Sequence, residues 1–119
     1  LVEDNDINRE IAMKLLKMSG ITVASARDGQ EAVDKFQAYG EDYDLILMDV
    51  QMPVMNGYDA AKAIRASDRR DARSIPVFAM TADAFSEDIA LAKAAGMNSH
   101  LAKPLDLTVV LREIKKYFE

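Results

Sequence analysis

Asp49 closes an apolar run, Leu45-Ile46-Leu47-Met48, and is followed by Val50-Gln51-Met52-Pro53. Such a run reads as a strand buried on both faces, the kind found in parallel sheets. Three other short apolar segments end in the same way. Leu1-Val2 runs into Glu3 and Asp4, Val77-Phe78-Ala79-Met80 into Thr81, and His100-Leu101-Ala102 into Lys103. In an open α/β sheet the carboxyl ends of the strands border the crevice where ligands bind. An acid pair, a third acid, a hydroxyl and an amine are therefore expected in one crevice. That set predicts phosphoryl transfer to a carboxylate, with Asp49 as the nucleophile, as in aspartyl-phosphate chemistry.

The charges of this set ask for a cation. Two unit charges about 4 Å apart, at an effective dielectric of about 20, repel by roughly 4 kcal/mol. Lys103 offers one positive charge against three acids. A small hard divalent ion held by oxygens restores the balance, and Mg²⁺ takes one or two carboxylates together with waters and phosphate oxygens. Metal and Lys103 would neutralise charge on transferring phosphoryl oxygens. Thr81 could donate its hydroxyl to one of them. Taken singly, each residue has a plainer reading: a solvated cap acid, a strand-end threonine, a surface lysine.

The elements that must position these groups alternate strand and helix. Leu1 to Glu3 ends a strand; Asp6 to Ser19 has helical apolar spacing at Ile11, Ala12, Leu15 and Leu16, and Gly20 stops it. Ile21 to Ala26 reads as a short strand. Asp28-Gly29-Gln30-Glu31 resembles a capping box and opens a helix ending near Tyr39-Gly40. After the central strand, Asn56-Gly57 starts a helix carrying Ala60, Ala61 and Ile64, and Ser67 to Ser74 reads as a solvated loop. Pro76 to Met80 is a strand with proline at its first residue, where it costs least. Ser86 is the expected cap of a helix stopped by Gly96, Ser99 to Ala102 the fifth strand, and Asp106 the cap of the last helix. Such alternation predicts an α/β fold: a flavodoxin-like, doubly wound, five-stranded parallel sheet of order 2-1-3-4-5 with five helices. Its switch point falls between the first and third strands, where Glu3, Asp4 and Asp49 stand.

The 119 residues suit one domain with one core. A net charge of −5 argues against a basic nucleic-acid surface. The absence of cysteine excludes thiol chemistry and fits a cytoplasmic context. No apolar run approaches membrane-spanning length and no signal peptide is visible. The opening at Leu1-Val2, without Met, suggests a domain cut from a longer chain with the start of its first strand missing.

Four motifs carry a family likeness: Leu1-Val2-Glu3-Asp4-Asn5; Leu47-Met48-Asp49-Val50-Gln51-Met52-Pro53 with Gly57; Met80-Thr81-Ala82; and Lys103-Pro104. In their order and spacing the chain resembles a receiver domain of a two-component response regulator, over residues 1–119. The resemblance implies that Asp49 accepts phosphate from a histidine. It implies that Asp4, Asp49 and the Gln51 backbone carbonyl bind Mg²⁺, with Glu3 acting mainly through water. It implies that Thr81 and Lys103 contact the phosphoryl group, and that the Lys103-Pro104 peptide is cis, although base rates alone favour trans. His100 stands where the family often has Tyr or Phe as a switch residue. Its flat, polar ring could turn inward toward Thr81 and titrate near physiological pH.

Asn5-Asp6-Ile7-Asn8, Met80 to Phe85 and Gly96 to Leu105 resemble the receivers of hybrid sensor histidine kinases. Those pass phosphate onward to a histidine phosphotransfer domain rather than driving a fused DNA-binding output. The expected partner is a histidine kinase, a histidine phosphotransfer domain, or both. With Ile11, Ala12, Leu15, Leu16 and Ser19 as the buried stripe of the first helix, Ile7 and Met13 fall outside it. With Pro104 and Leu105 they would form an apolar docking patch beside the site. Ile89, Ala92, Met97, Val110 and Ile114 are expected to face the core or another subunit, and Met48 and Met80 to lie in the core.

The domain is thus expected to catalyse its own phosphorylation and slow loss of phosphate, without turning over an external metabolite. A haloacid-dehalogenase-class hydrolase would need a second acid where Gln51 stands. A flavin carrier of the same fold would need a hydroxyl-rich loop in place of Glu3-Asp4-Asn5-Asp6. A degenerate receiver kept as a scaffold would lack some of the five site residues.

Overall fold

The computed structural model describes residues 1–52, 54–81, 86–103 and 105–118. Three of the apolar runs form adjacent parallel strands: β1 (Ile46–Asp49), β2 (Val77–Thr81) and β3 (Ser99–Ala102). The register sets Asp49 opposite Met80 and Thr81 opposite Ala102, so the strand ends lie side by side. On the other flank Val2 bridges Met48 and Ala26, both in parallel. Val2 N donates to the Leu47 carbonyl (2.8 Å), Asp49 N to that of Val2 (3.0 Å), and Glu3 N to that of Ala26 (3.0 Å). The spatial order is therefore Ala26, Val2, β1, β2, β3, which is the expected 2-1-3-4-5 arrangement.

The first two segments are slighter than expected. The Ile21–Ala26 run pairs as a bridge only at Ala26, and Leu1–Glu3 only at Val2. Ile21 and Val23 still pack against the core while Thr22 and Ala24 face outward. An edge run can keep its side-chain alternation and yet bond its backbone only where a neighbour lies alongside. Here that neighbour is Leu1–Glu3, whose Leu1 amino group also donates to the Ala24 carbonyl (3.0 Å).

Among the described residues five α-helices connect and cover the sheet: α1 (Asp6–Met18), α2 (Gly29–Tyr39), α3 (Gly57–Arg65), α4 (Ser86–Ala94) and α5 (Leu107–Phe118). Their starts are local chemistry. Asn5 Oδ1 accepts from Asn8 N, Asp28 Oδ1 from Glu31 N, Asn56 Oδ1 from Asp59 N, and Asp106 Oδ1 from Thr108 N, all at 2.8–2.9 Å. Ser86, expected as a cap, is the first residue of α4. Gly20 and Gly96 end α1 and α4 with φ of 84° and 91°, a left-handed turn that glycine adopts without a Cβ clash.

The sheet faces divide the core. Ile46, Met48, Val77 and Ala79 point to one side, against Phe36 of α2, Ala60, Ala61 and Ile64 of α3 and Ala92 of α4. Leu47, Phe78, Met80 and Leu101 point to the other, against Leu16 of α1 and Val110 of α5. This two-residue period along each strand is what places helices on both faces. At the end of the sheet away from Asp49, Arg65 donates to the carbonyls of Gly96, Ala72 and Ile75 and to Asn98 Oδ1. The 67–74 stretch, expected to be a solvated loop, is therefore anchored through its buried Ala72.

On α1 the buried stripe is narrower than expected. Ala12 and Leu16 are buried and Leu15 is half-buried, but Ile11 is 53% exposed and Ser19 is exposed. Ile11 lies one residue, about 100°, round the helix from Ala12. It therefore joins Ile7, which is 69% exposed, while Met13 is half-buried rather than free.

Candidate active site

Asp49 ends β1 with its carboxylate in the crevice between β1, β2 and the Val2 segment. The next residue stays on the ladder, because Val50 N donates to the Met80 carbonyl (3.0 Å). The chain then turns and comes back at Gly57, whose N–H donates to the Val50 carbonyl (2.9 Å). A Cβ on Gly57 would strike the Asp49 carbonyl oxygen, so glycine there is what lets α3 start against the end of β1.

Glu3, Asp49 and Thr81 are the buried polar residues among those described. Lys103 draws the two acids together: its Nζ donates to Asp49 Oδ2 (2.9 Å) and to Glu3 Oε1 (3.0 Å). Lys103 is itself held in line, its backbone N–H donating to the Thr81 carbonyl (2.9 Å). Asp49 Oδ1 accepts from Gln51 N, and Glu3 Oε2 from Asn5 N, each at 3.3 Å. Asp4 is exposed at the rim. Glu3, Asp4 and Asp49 each bring one carboxylate oxygen within 4.8 Å of the others. A cavity of about 210 Å³ opens between them, with Asn8, Gln51 and Thr81 on its wall. A larger apolar cleft, about 790 Å³, lies at the Ala26 edge beneath Val23 and Tyr43, away from every one of these groups.

Burial, and then the hydrogen bond with Glu3, push the Asp49 carboxyl up to about 7, with Lys103 pulling the other way. Burial also acts against ionised Glu3, but the hydrogen bonds from Asp49 and Lys103 outweigh it and hold Glu3 below its ordinary value. Lys103 is raised, burial being outweighed by the two carboxylates. Of the two acids, Asp49 is therefore the one that takes up a proton more readily, while Glu3 is held in its ionised form. All-oxygen donors, excess negative charge and a small polar cavity suit a hard divalent cation.

The structure thus assembles Glu3, Asp4, Asp49, Thr81 and Lys103, as their places at strand ends predicted, and sets Gln51, which the resemblance implied, beside them. His100 is exposed on β3, opposite Ala79 in register. Leu105 is half-buried; Pro104, and with it the Lys103-Pro104 peptide, lies outside the described residues, as do residues 82–85. Sequence reasoning missed Asn8 and Arg9. The signal was present: an Asn5 cap fixes the register of α1, so residues three and four further on return to the acid loop.

A doubly wound α/β domain with an acid and amine crevice at its switch point has its polar groups where open α/β sheets bind ligands. The chain belongs to the response regulator receiver domain family, whose model matches residues 1–115. It is 37% identical over 117 residues to hybrid signal transduction histidine kinase M of Dictyostelium discoideum, covering 98% of this chain but 5% of that protein. Among solved structures it is similar to the receiver domain of a sensor histidine kinase from Pseudomonas aeruginosa with magnesium coordinated in the active site cleft. That match has a TM-score of 0.86 and 36% identity, over 98% of this chain and 92% of that one. It is also similar, with a TM-score of 0.85 and 35% identity over 98% and 84% of the two chains, to a Saccharomyces cerevisiae co-crystal structure. That crystal pairs the histidine phosphotransfer signaling protein Ypd1 with the receiver domain of its downstream response regulator Ssk1. The chain is therefore a receiver domain of two-component signalling. Among its described residues no helix is long and apolar enough to cross a membrane.

Proposed function

We propose that residues 1–119 act as one receiver unit in which Asp49 takes a phosphoryl group from a phosphohistidine. The observation that carries this reading is the Lys103 amine bridging Asp49 and Glu3 at 2.9 and 3.0 Å, beside Thr81 on the adjoining strand end. An ionised Asp49 oxygen attacks phosphorus, an O–P bond forms and the P–N bond breaks. The electron pair returns to the imidazole nitrogen. Lys103 exchanges a carboxylate contact for a phosphoryl oxygen, and the Thr81 hydroxyl donates to another.

Asp4, Asp49 and the Gln51 backbone carbonyl are the proposed ligands of Mg²⁺, with Glu3 reaching it through water. When bound, Mg²⁺ supplies positive charge to the phosphoryl oxygens. The clustering of the three carboxylates supports this, as does the magnesium in the cleft of the Pseudomonas receiver. Thr81 and His100 form the proposed switch. His100, outward on β3 here, would turn inward once Thr81 moves toward the new charge.

The proposed partner is a histidine phosphotransfer domain, a histidine kinase, or both. It docks on Ile7 and Ile11 of α1, extended by Leu105 and Pro104, with the half-buried Met13 contributing less. The co-crystal of Ypd1 with a similar receiver supports such a partner. The curated relatives suggest a hybrid histidine kinase as parent, with the domain in the cytoplasm, tethered where that kinase is membrane-bound. No external metabolite is turned over, and no nucleic acid is bound directly. The test is transfer from a histidine phosphotransfer protein carrying labelled phosphohistidine. Label should move to the wild-type chain and leave the donor. Label that stays on the donor, with a panel of such donors, would overturn the reading.

A further inference from the structure

Arg9 stands on the first turns of α1, with its side chain only 16% exposed although its ion-pair partner Asp6 is 83% exposed. Its guanidinium forks: Nη1 donates to the Glu3 carbonyl oxygen (3.0 Å) and Nη2 to Asp6 Oδ1 (2.6 Å). A surface ion pair alone would not draw the group inward. The Glu3 carbonyl belongs to the Glu3–Asp4 peptide, so whatever orients it also aims the Asp4 carboxylate. The rest of Glu3 is pinned already, its N–H by the Ala26 carbonyl and its carboxylate by Lys103 and Asn5 N. Arg9 holds the peptide oxygen of that turn, and it reaches there from α1.

We propose that Arg9 is a positioning residue. By holding the Glu3–Asp4 peptide it keeps the Asp4 carboxylate within reach of Asp49, so that the two close on one divalent cation. The inference rests on the phosphoacceptor reading of the site and adds a residue to it. Groups behind metal ligands commonly set affinity as strongly as this, changing it about 10- to 100-fold when removed. The planar fork matters as well as the charge. A lysine ammonium can donate to the carbonyl, but it cannot span carbonyl and carboxylate in one fixed plane.

The experiment is an Mg²⁺ titration of wild type, Arg9→Met and Arg9→Lys, followed by amide shifts at Asp4 and Asp49, with thermal unfolding measured in parallel. Arg9→Met is expected to bind Mg²⁺ about tenfold more weakly. Arg9→Lys should remain well below wild type. Affinity within about twofold of wild type in a folded Arg9→Met would overturn the proposal, because a merely structural arginine lowers the unfolding temperature without moving metal affinity. Full recovery in Arg9→Lys would also overturn it, since charge alone would then suffice. If Arg9→Met does not fold, Arg9→Lys decides alone: weaker binding supports the clamp and equal binding removes it. If wild type binds no Mg²⁺, the reading of the site falls and this inference with it.

Discussion

Replacing Asp49 with asparagine is expected to stabilise the metal-free domain, and to do so more as pH rises. Asp49 is buried, and burial with the Glu3 contact raises it from 3.8 to about 7. A folded-state value above the unfolded one means that the folded protein binds the proton more tightly. Its contribution to stability is therefore complete below about 3.8 and is lost as pH climbs through about 7. About three units at 1.36 kcal/mol each give a ceiling of about 4 kcal/mol. The pull of Lys103 is already within the value of about 7, and screening at the open rim reduces the ceiling to about 2 kcal/mol. Asparagine keeps the shape and an oxygen that can accept from Gln51 N, and it carries no charge. Thermal unfolding followed by circular dichroism in chelator should show the variant roughly 8 °C above wild type at pH 8. At pH 4 the two should nearly coincide. A variant less stable than wild type at pH 8, or an equal gain at both pH values, would refute the reasoning.

Gly57→Ala should cost about 1–3 kcal/mol and slow phosphorylation, because its Cβ must displace the Asp49 backbone; unchanged unfolding and rate would show that α3 is not held against β1. Asp4→Asn should weaken Mg²⁺ binding more than Glu3→Gln, since Asp4 is the proposed direct ligand; calorimetric titrations giving equal or reversed effects would contradict that assignment. Ile7→Asp should slow transfer from a phosphorylated histidine domain at least about tenfold, equivalent to roughly 1.4 kcal/mol, and leave labelling by a small donor intact. Equal loss with both donors would point to damage at the site, and no loss with either would move the docking surface elsewhere.

Much of this site was legible because its residues close strands. Glu3, Asp49, Thr81 and Lys103 each follow an apolar run, and parallel pairing turns that shared place in sequence into a shared place in space. Helix starts at Asp28, Asn56 and Asp106 were legible for a similar reason, since their caps act within three residues, although Ser86 proved to be the first residue of α4 rather than its cap. What stayed hidden depends on partners distant in sequence. Ile11 fits a helical stripe as well as Ala12 does, and only the direction in which α1 meets Leu47 and Phe78 leaves it in solvent. The Ile21–Ala26 run has strand alternation, but alternation says nothing of how much backbone lies beside it. Arg65 and Arg9 look like ordinary surface arginines until their carbonyl partners, from Glu3 to Gly96, are brought alongside.

The most direct measurement is the intact mass of wild type and Asp49→Asn after incubation with a small phosphodonor and Mg²⁺. Wild type should gain a single acid-stable, base-labile phosphoryl group, chelator should prevent the gain, and the asparagine variant should gain none. Labelling of Asp49→Asn at the wild-type rate, or a wild-type chain that stays unlabelled, would contradict the claim that Asp49 is the acceptor.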